Sequence, residues 1–230
     1  MGIRRGPNII MDGLVFMADA ANPDSYPGSG TTWNDLTTTQ NHGTLTNGPT
    51  FDSGNGGSIV FDGANDYSKN TGSSDYDLTE GTVECWAKVH SSTTNFFGVG
   101  SIFTQSPYKG FGIHSAANST KFSLLITYNA VGTINYMDAD NNYVIDQWYH
   151  LVGTVGATRA DFYIDGVRNE YLTYTTAIAP SSQPITIGRF YSNYNGFYAP
   201  CNIASVKFYN RALTEDEVLQ NYNATKGRFS

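Results

Sequence analysis

Cleaving a glycoside takes two carboxyl groups, about 5 Å apart for retention and further apart for inversion. The densest acidic cluster in this chain is Glu215-Asp216-Glu217, three contiguous residues, and Glu84 stands alone in its segment. Neither places two carboxylates on alternate residues of one extended strand, where both side chains would share a face. The four histidines, His42, His90, His114 and His150, show no metal spacing such as His-Glu-x-x-His. His150 reads as a packed residue. No Gly-x-Ser-x-Gly elbow or phosphate-cradling loop occurs. The sequence therefore predicts a protein that is not an enzyme, with glycoside hydrolysis a remote alternative.

Binding chemistry is better represented. Hard oxygen ligands for calcium gather in two places. Asp138-Ala-Asp140-Asn141-Asn142 starts like a calcium loop, but the following Gly and the distal Glu are missing, so Asp138, Asp140 and Asn142 make no EF-hand. The second set is Asp62, Asn65 and Asp66. At both, Asx turns that stabilise a tight bend are the competing reading. No cofactor is required, and calcium is the candidate ion. The most unusual stretch is Tyr191-Ser-Asn-Tyr-Asn-Gly-Phe-Tyr198, in which Tyr191, Tyr194, Phe197 and Tyr198 are interleaved with Asn193 and Asn195. Several of these rings are expected at the surface. An aromatic face covers the apolar C–H face of a sugar while amides bond its hydroxyls. The same composition makes adaptable protein contacts, and packing over a sheet edge is the plain alternative. Trp86 and Tyr143 are lesser candidates, each equally suited to a core.

Strands must position these residues. From Thr82 to Val89, Val83, Cys85, Ala87 and Val89 share one face and Glu84, Trp86 and Lys88 the other, which predicts a half-buried antiparallel strand. Phe122 to Tyr128 repeats the pattern, and Trp148 to Val155 follows. Strands at 161–164 and 167–172 flank Asp165-Gly166, where both residues tolerate positive φ, a hairpin signal. Further strands are expected at 14–17, 58–61, 111–114, 134–137, 185–187 and 203–209, and the Gly-rich stretch 52–57 reads as a loop. One helix begins after Thr214, which forms a capping box with Glu217 ahead of an apolar stripe of Val218, Leu219 and Tyr222. Its dipole favours the acidic triplet in the first turn, which gives that cluster a structural purpose. Many short strands separated by Gly and Asn turns predict an all-β fold: a two-sheet antiparallel jelly-roll sandwich with one short C-terminal helix. It spans residues 13–230. Residues 1–12, with Arg4, Arg5 and Pro7, form an N-terminal arm that docks elsewhere or frays.

Composition narrows the partners. Only 14% of the 230 residues are charged and 14% are aromatic, which excludes helical bundles and disorder. Thirteen basic residues against twenty acidic ones leave a net charge of −7, a poor match to nucleic acid. No apolar run is long enough to cross a bilayer. Met1–Asp12 lacks the apolar core of a secretory signal, and Gly6 stands where a myristoylation motif needs Ser or Thr. Synthesis in a cytoplasm is expected, with Cys85 and Cys201 as free, buried thiols.

Phe61-Asp-Gly-Ala-Asn-Asp-Tyr67, Gly81-Thr-Val-Glu-Cys-Trp-Ala-Lys88 and Trp148-Tyr-His-Leu-Val-Gly-Thr154 occur in that order. Phe162-Tyr-Ile-Asp-Gly166, Ile187-Gly188 and Ile203-Ala-Ser-Val-Lys-Phe-Tyr-Asn-Arg-Ala-Leu213 continue the series. The ordered set resembles the laminin-G-like branch of the concanavalin A-like lectin/glucanase superfamily, from roughly Leu14 to Tyr222. The segments Asp12-Gly-Leu-Val-Phe-Met-Ala-Asp-Ala20 and Tyr26-Pro-Gly-Ser-Gly-Thr-Thr-Trp33 resemble versions in structural proteins of tailed phages. The resemblance implies two stacked antiparallel sheets, one curved, with ligands at the concave face or rim loops and calcium common among relatives. Glucanase relatives carry catalytic carboxylates on alternate residues of one strand, a pattern missing here.

The expectation that follows is a virion structural or decoration protein of a tailed phage, made in the host cytoplasm and exposed on the particle surface. Its expected partners are itself, as a homo-oligomer with a trimer favoured, other virion proteins through residues 1–12, and surface polysaccharide. The alternative is a carbohydrate-binding adhesin or a tail-fibre receptor-binding module.

Overall fold

The computed structural model describes residues 7–91, 97–101, 108–115, 120–128, 133–181, 183–191 and 196–229. In chain order the strands are β1 (Leu14–Asp19), β2 (Thr32–Trp33), β3 (Gly43–Thr46), β4 (Thr50–Asp52), β5 (Ser58–Asp62), β6 (Tyr67–Lys69), β7 (Gly81–Val89) and β8 (Phe97–Ser101). They continue as β9 (Phe111–Ser115), β10 (Phe122–Tyr128), β11 (Thr133–Asp138), β12 (Trp148–Val155), β13 (Arg159–Ile164), β14 (Val167–Thr173), β15 (Thr186–Ile187) and β16 (Pro200–Tyr209). Helix α1 (Glu215–Thr225) closes the chain.

Two antiparallel sheets result. The first runs β14-β13-β12-β7-β16-β5-β4. The long strand β16 meets β5 along Pro200–Ile203 and β1 along Ser205–Tyr209, so β1 and β5 follow one another along the same edge. The second sheet runs β11-β10-β9-β8-β15-β6-β3-β2. The fold is the expected all-β sandwich with one short C-terminal helix. Between the sheets, Val83, Cys85, Phe208 and Val206 meet Phe111, Ile113, Leu124 and Ile126 in one continuous core. Each such fully buried large apolar side chain contributes about 1.5–3 kcal/mol. Both cysteines are free and buried there. Among the described residues no helix is long and apolar enough to cross a membrane.

Local chemistry explains the boundaries. Asp165 (φ 52°) and Gly166 (φ 78°) both take left-handed backbone, which turns β13 into β14 as expected. The helix starts on the predicted capping box: the Thr214 N–H donates to Glu217 Oε2 at 2.8 Å, and the Glu217 N–H donates to Thr214 Oγ1 at 3.3 Å. The apolar stripe is narrower than predicted, since Val218 is buried but Leu219 is 42% exposed. The chain ahead of β1 is tied to this helix. Ile10 N–H donates to Asn221 Oδ1 at 2.7 Å, and Gln220 Nε2 donates to the Asn8 carbonyl at 2.8 Å. The predicted arm residues Arg4 and Arg5 lie outside the described residues.

One strand departs from expectation. Alternation marks Glu84 and Trp86 as the half-exposed face of β7, yet they are 0% and 3% exposed. β7 is central in its sheet, flanked by β12 and β16. Helix α1 covers its outer face, where Asn221 reaches Glu84 and Thr225 reaches Trp86. Alternation here separates two packed faces rather than core from solvent.

Candidate functional site

Glu84, the lone strand carboxylate, sits in a sealed polar cluster. Its Oε1 accepts from Lys207 Nζ at 2.7 Å and lies 3.1 Å from His150 Nε2, and its Oε2 accepts from Asn221 Nδ2 at 2.6 Å. The Tyr209 hydroxyl accepts from Asn221 Nδ2 at 3.0 Å and donates to the Ile10 carbonyl at 3.1 Å. Burial by itself pushes the Glu84 carboxyl up. Lys207 and His150 outweigh it and hold the group well below the usual carboxylate range. With both oxygens committed, the carboxylate clamps β7, β12, β16 and α1 together. His150 is fully buried, the packed residue its segment suggests.

Of the two calcium candidates, the set of Asp62, Asn65 and Asp66 is arranged as a turn. Asp62 Oδ1 accepts from the backbone N–H groups of Ala64 (2.7 Å), Asn65 (3.2 Å) and Asp66 (3.4 Å), and Asp66 Oδ2 accepts from the Asp62 N–H at 3.3 Å. Burial raises the Asp62 carboxyl, but these donors prevail and lower it, whereas burial leaves Asp66 raised. That is the Asx-turn reading, with the side chains spent on their own backbone. Asp138, Asp140 and Asn142 are exposed, and the Asp140 N–H donates to Asn169 Oδ1 at 2.8 Å. Asn142 lines a cavity of about 240 Å³ with Asn141, Asn169 and Tyr149, and neither aspartate is among the lining residues. Tyr143 also borders it, but its ring is 5% exposed and packs 4.7 Å from Phe122 in the core. Among the described residues no group of three His, Cys, Asp or Glu side chains could hold a metal ion.

The described ends of the aromatic stretch, Tyr191 and Phe197, lie against the outward face of the second sheet. The base of the stretch is closed by the Ala199 N–H donating to the Gly188 carbonyl (2.9 Å) and the Phe190 N–H donating to the Phe197 carbonyl (3.3 Å). Ser101 Oγ on β8 donates to the Phe190 carbonyl at 2.6 Å, which fixes the segment across the sheet. Gly98 makes the crossing possible, because a Cβ there would stand 2.5 Å from Phe190 Cα. Phe190 and Tyr191 then join Leu125 in an apolar cluster separate from the main core, with Tyr108, Ile134 and Phe197 packed on it. His114 continues the floor, 5.0 Å from Phe190 and 5.6 Å from Tyr136, and burial pushes its imidazole down to about 4.

This arrangement revises the predicted ring set. Tyr191 is 8% exposed and forms floor rather than surface, set edge-on to Phe190 (4.6 Å) and Phe197 (5.4 Å). Phe197 and Tyr198 are half-buried. Asn193, Tyr194 and Asn195 lie outside the described residues. Tyr198 leans on Tyr67 at 6.2 Å, and the Arg189 guanidinium lies 4.0 Å above the Tyr67 ring. Tyr136 is 47% exposed on the same face. Sequence reasoning did not select Tyr67, Arg189 or Tyr136. Tyr136 carries a readable signal, since it shares the strand parity of Ile134, opposite to the core residue Met137. Tyr67 closes a turn motif that hides its outward direction. The platform can stack apolar ring faces, and its buried floor holds the rings in place.

The architecture defines a laminin-G-like sandwich. Residues 62–219 match the model of a family described as the concanavalin A-like lectin/glucanases superfamily, of laminin-G type, and the chain belongs to that family. Comparison with curated protein sequences gives no match. Solved structures share the fold. Domain 4 of AbnA, an extracellular arabinanase from Geobacillus stearothermophilus solved with arabinotriose, is similar at TM-score 0.70 and 17% identity, over 91% of this chain and 98% of that one. The binding domain of Paraclostridial Mosquitocidal Protein 1 gives 0.68 and 16%, over 92% and 52%. A Trypanosoma rangeli sialidase in complex with sialic acid gives 0.67 and 14%, over 95% of this chain and 34% of that one. The chain thus spans about a third of the sialidase's length.

Proposed function

We propose that this chain is a non-enzymatic binding domain whose aromatic platform on the second sheet takes glycans. The observation that carries the reading is the outward cluster of Tyr67, Tyr136, Phe197 and Tyr198 over a buried floor. Such rigid rings offer apolar stacking area at low entropic cost. The carboxylate on the central strand is committed to Lys207 and Asn221, which favours binding over hydrolysis. The opening segments 12–20 and 26–33 support a setting on the surface of a tailed-phage particle. There the domain serves as a decoration protein, oligomeric through itself and joined to other virion proteins through its first residues. A single shallow sugar site near millimolar, about −4 kcal/mol, is feeble alone. Repetition over a particle raises it by roughly two to four orders of magnitude.

A glycan array probed with the intact protein, with and without calcium, tests this. Binding to a defined glycan set, weakened in Tyr136→Ala and Tyr198→Ala, is the expected result. Silence on the array in both conditions, or binding untouched by these variants, overturns the platform reading.

A further inference from the structure

The opposite sheet carries an unrelated cleft of about 340 Å³, open beside the end of α1. Trp86, Trp148, Tyr222 and Phe229 form its walls, and Asp165 and Lys226 complete it. The rings are held in place. Phe229 stacks on Trp86 at 4.1 Å and 19°, and lies 4.9 Å from Trp148. Trp86 Nε1 donates to Thr225 Oγ1 at 2.9 Å and Trp148 Nε1 to Asn55 Oδ1 at 3.1 Å. Both indole N–H groups are therefore occupied, and because Trp86 is 3% exposed beneath Phe229, the ring surface open to a ligand is that of Trp148, Tyr222 and Phe229.

The charged groups give the cleft its character. Lys226 Nζ lies 5.1 Å from the Tyr222 ring centroid and Lys88 Nζ 5.3 Å from that of Trp148. Neither ammonium pairs with a carboxylate among the described residues, although the chain carries a net charge of −7. Asp165 is tied through Oδ1 to the His150 backbone N–H at 2.9 Å. Two cations that already sit over ring faces make an outside cation a poor occupant, and an anion a good one.

We propose that this cleft is a second ligand site and that it takes an acidic saccharide. The C–H face of a sugar ring lies on Trp148 and Tyr222, its carboxylate faces Lys226, the lysine that lines the cleft, and a hydroxyl donates to the remaining oxygen of Asp165. Lys88, over the Trp148 ring, adds positive charge nearby. The site shares no residue with the platform on the second sheet, so either can fail without the other.

Titration of the intact protein with trigalacturonate, sialyllactose and lactose, followed by NMR or calorimetry, is the test. Either acidic sugar is expected to bind, with lactose weaker and affinity falling as salt rises. Trp148→Ala should lower affinity on the order of tenfold, the scale of one lost ring stack. Lys226→Ala, at an exposed position that leaves the fold intact, should lower it roughly threefold, the scale of one exposed ion pair. Lys226→Glu should remove the preference for acid. Equal binding of acidic and neutral sugars overturns the proposal, as does no binding of any. Loss confined to Tyr136→Ala and Tyr198→Ala overturns it too, and leaves the platform reading standing.

Discussion

The ammonium of Lys207 lies 2.7 Å from Glu84 Oε1, and both side chains are shut away from solvent between the first sheet and the C-terminal helix. Neighbouring strands β7 and β16 bring them opposite one another. The helix reaches the same carboxylate through Asn221 at 2.6 Å, so one charge pair anchors three elements.

Removing one partner leaves the other buried and unpaired. Lys207→Met should destabilise by about 3–5 kcal/mol in urea unfolding. The double variant Glu84→Leu with Lys207→Met should recover much of that loss, because neither charge then remains buried. A single variant as stable as the parent would show that the pair contributes nothing. Acid acts through the same group. The Glu84 carboxyl is lowered in the folded state, so its contribution is complete above the usual carboxylate range and disappears as the pH falls below it.

Gly98 is the point where the aromatic segment crosses the second sheet, and a methyl group there meets backbone atoms of Arg189 and Phe190. Gly98→Ala should cost about 1–3 kcal/mol by overpacking. It should also weaken glycan binding by displacing the floor beneath Phe197. Near-ultraviolet circular dichroism reads the displacement. An unchanged aromatic spectrum together with unchanged stability would contradict the crossing.

His114 gives a separate pH signature. Its imidazole is fully buried and titrates near 4, whereas an unfolded histidine titrates near 6.5. Between those values the unfolded chain binds the proton and the folded one does not, so stability falls as the pH drops from about 6.5 towards 4. Midpoints measured across that window should decline less steeply in His114→Gln. Parallel curves for parent and variant would assign the decline to other groups.

Much of the scaffold is legible from local pattern. The strands β7, β10 and β12, the Asp165-Gly166 turn and the Thr214–Glu217 cap are each marked by residues close together in the chain, and all form where expected. The short strands β2, β3 and β6 are not legible, because two to four residues rich in Thr, Gly and Ser carry no periodicity. The pairing of Glu84 with Lys207 spans 123 positions and depends on strand register. The chain can cross the sheet at Arg189 and Phe190 because Gly98, on a distant strand, leaves their backbone room. The aromatic composition announces a ring cluster, but which rings face out is a property of the tertiary fold.

The two free cysteines give the molecule a built-in stopwatch. Cys85 and Cys201 lie wholly between the sheets, and burial pushes both thiols up, away from the reactive thiolate. An alkylating reagent must therefore wait until the sandwich parts. The rate at which either sulfur is capped in native buffer times the opening of the whole domain, with no dye, label or engineered probe.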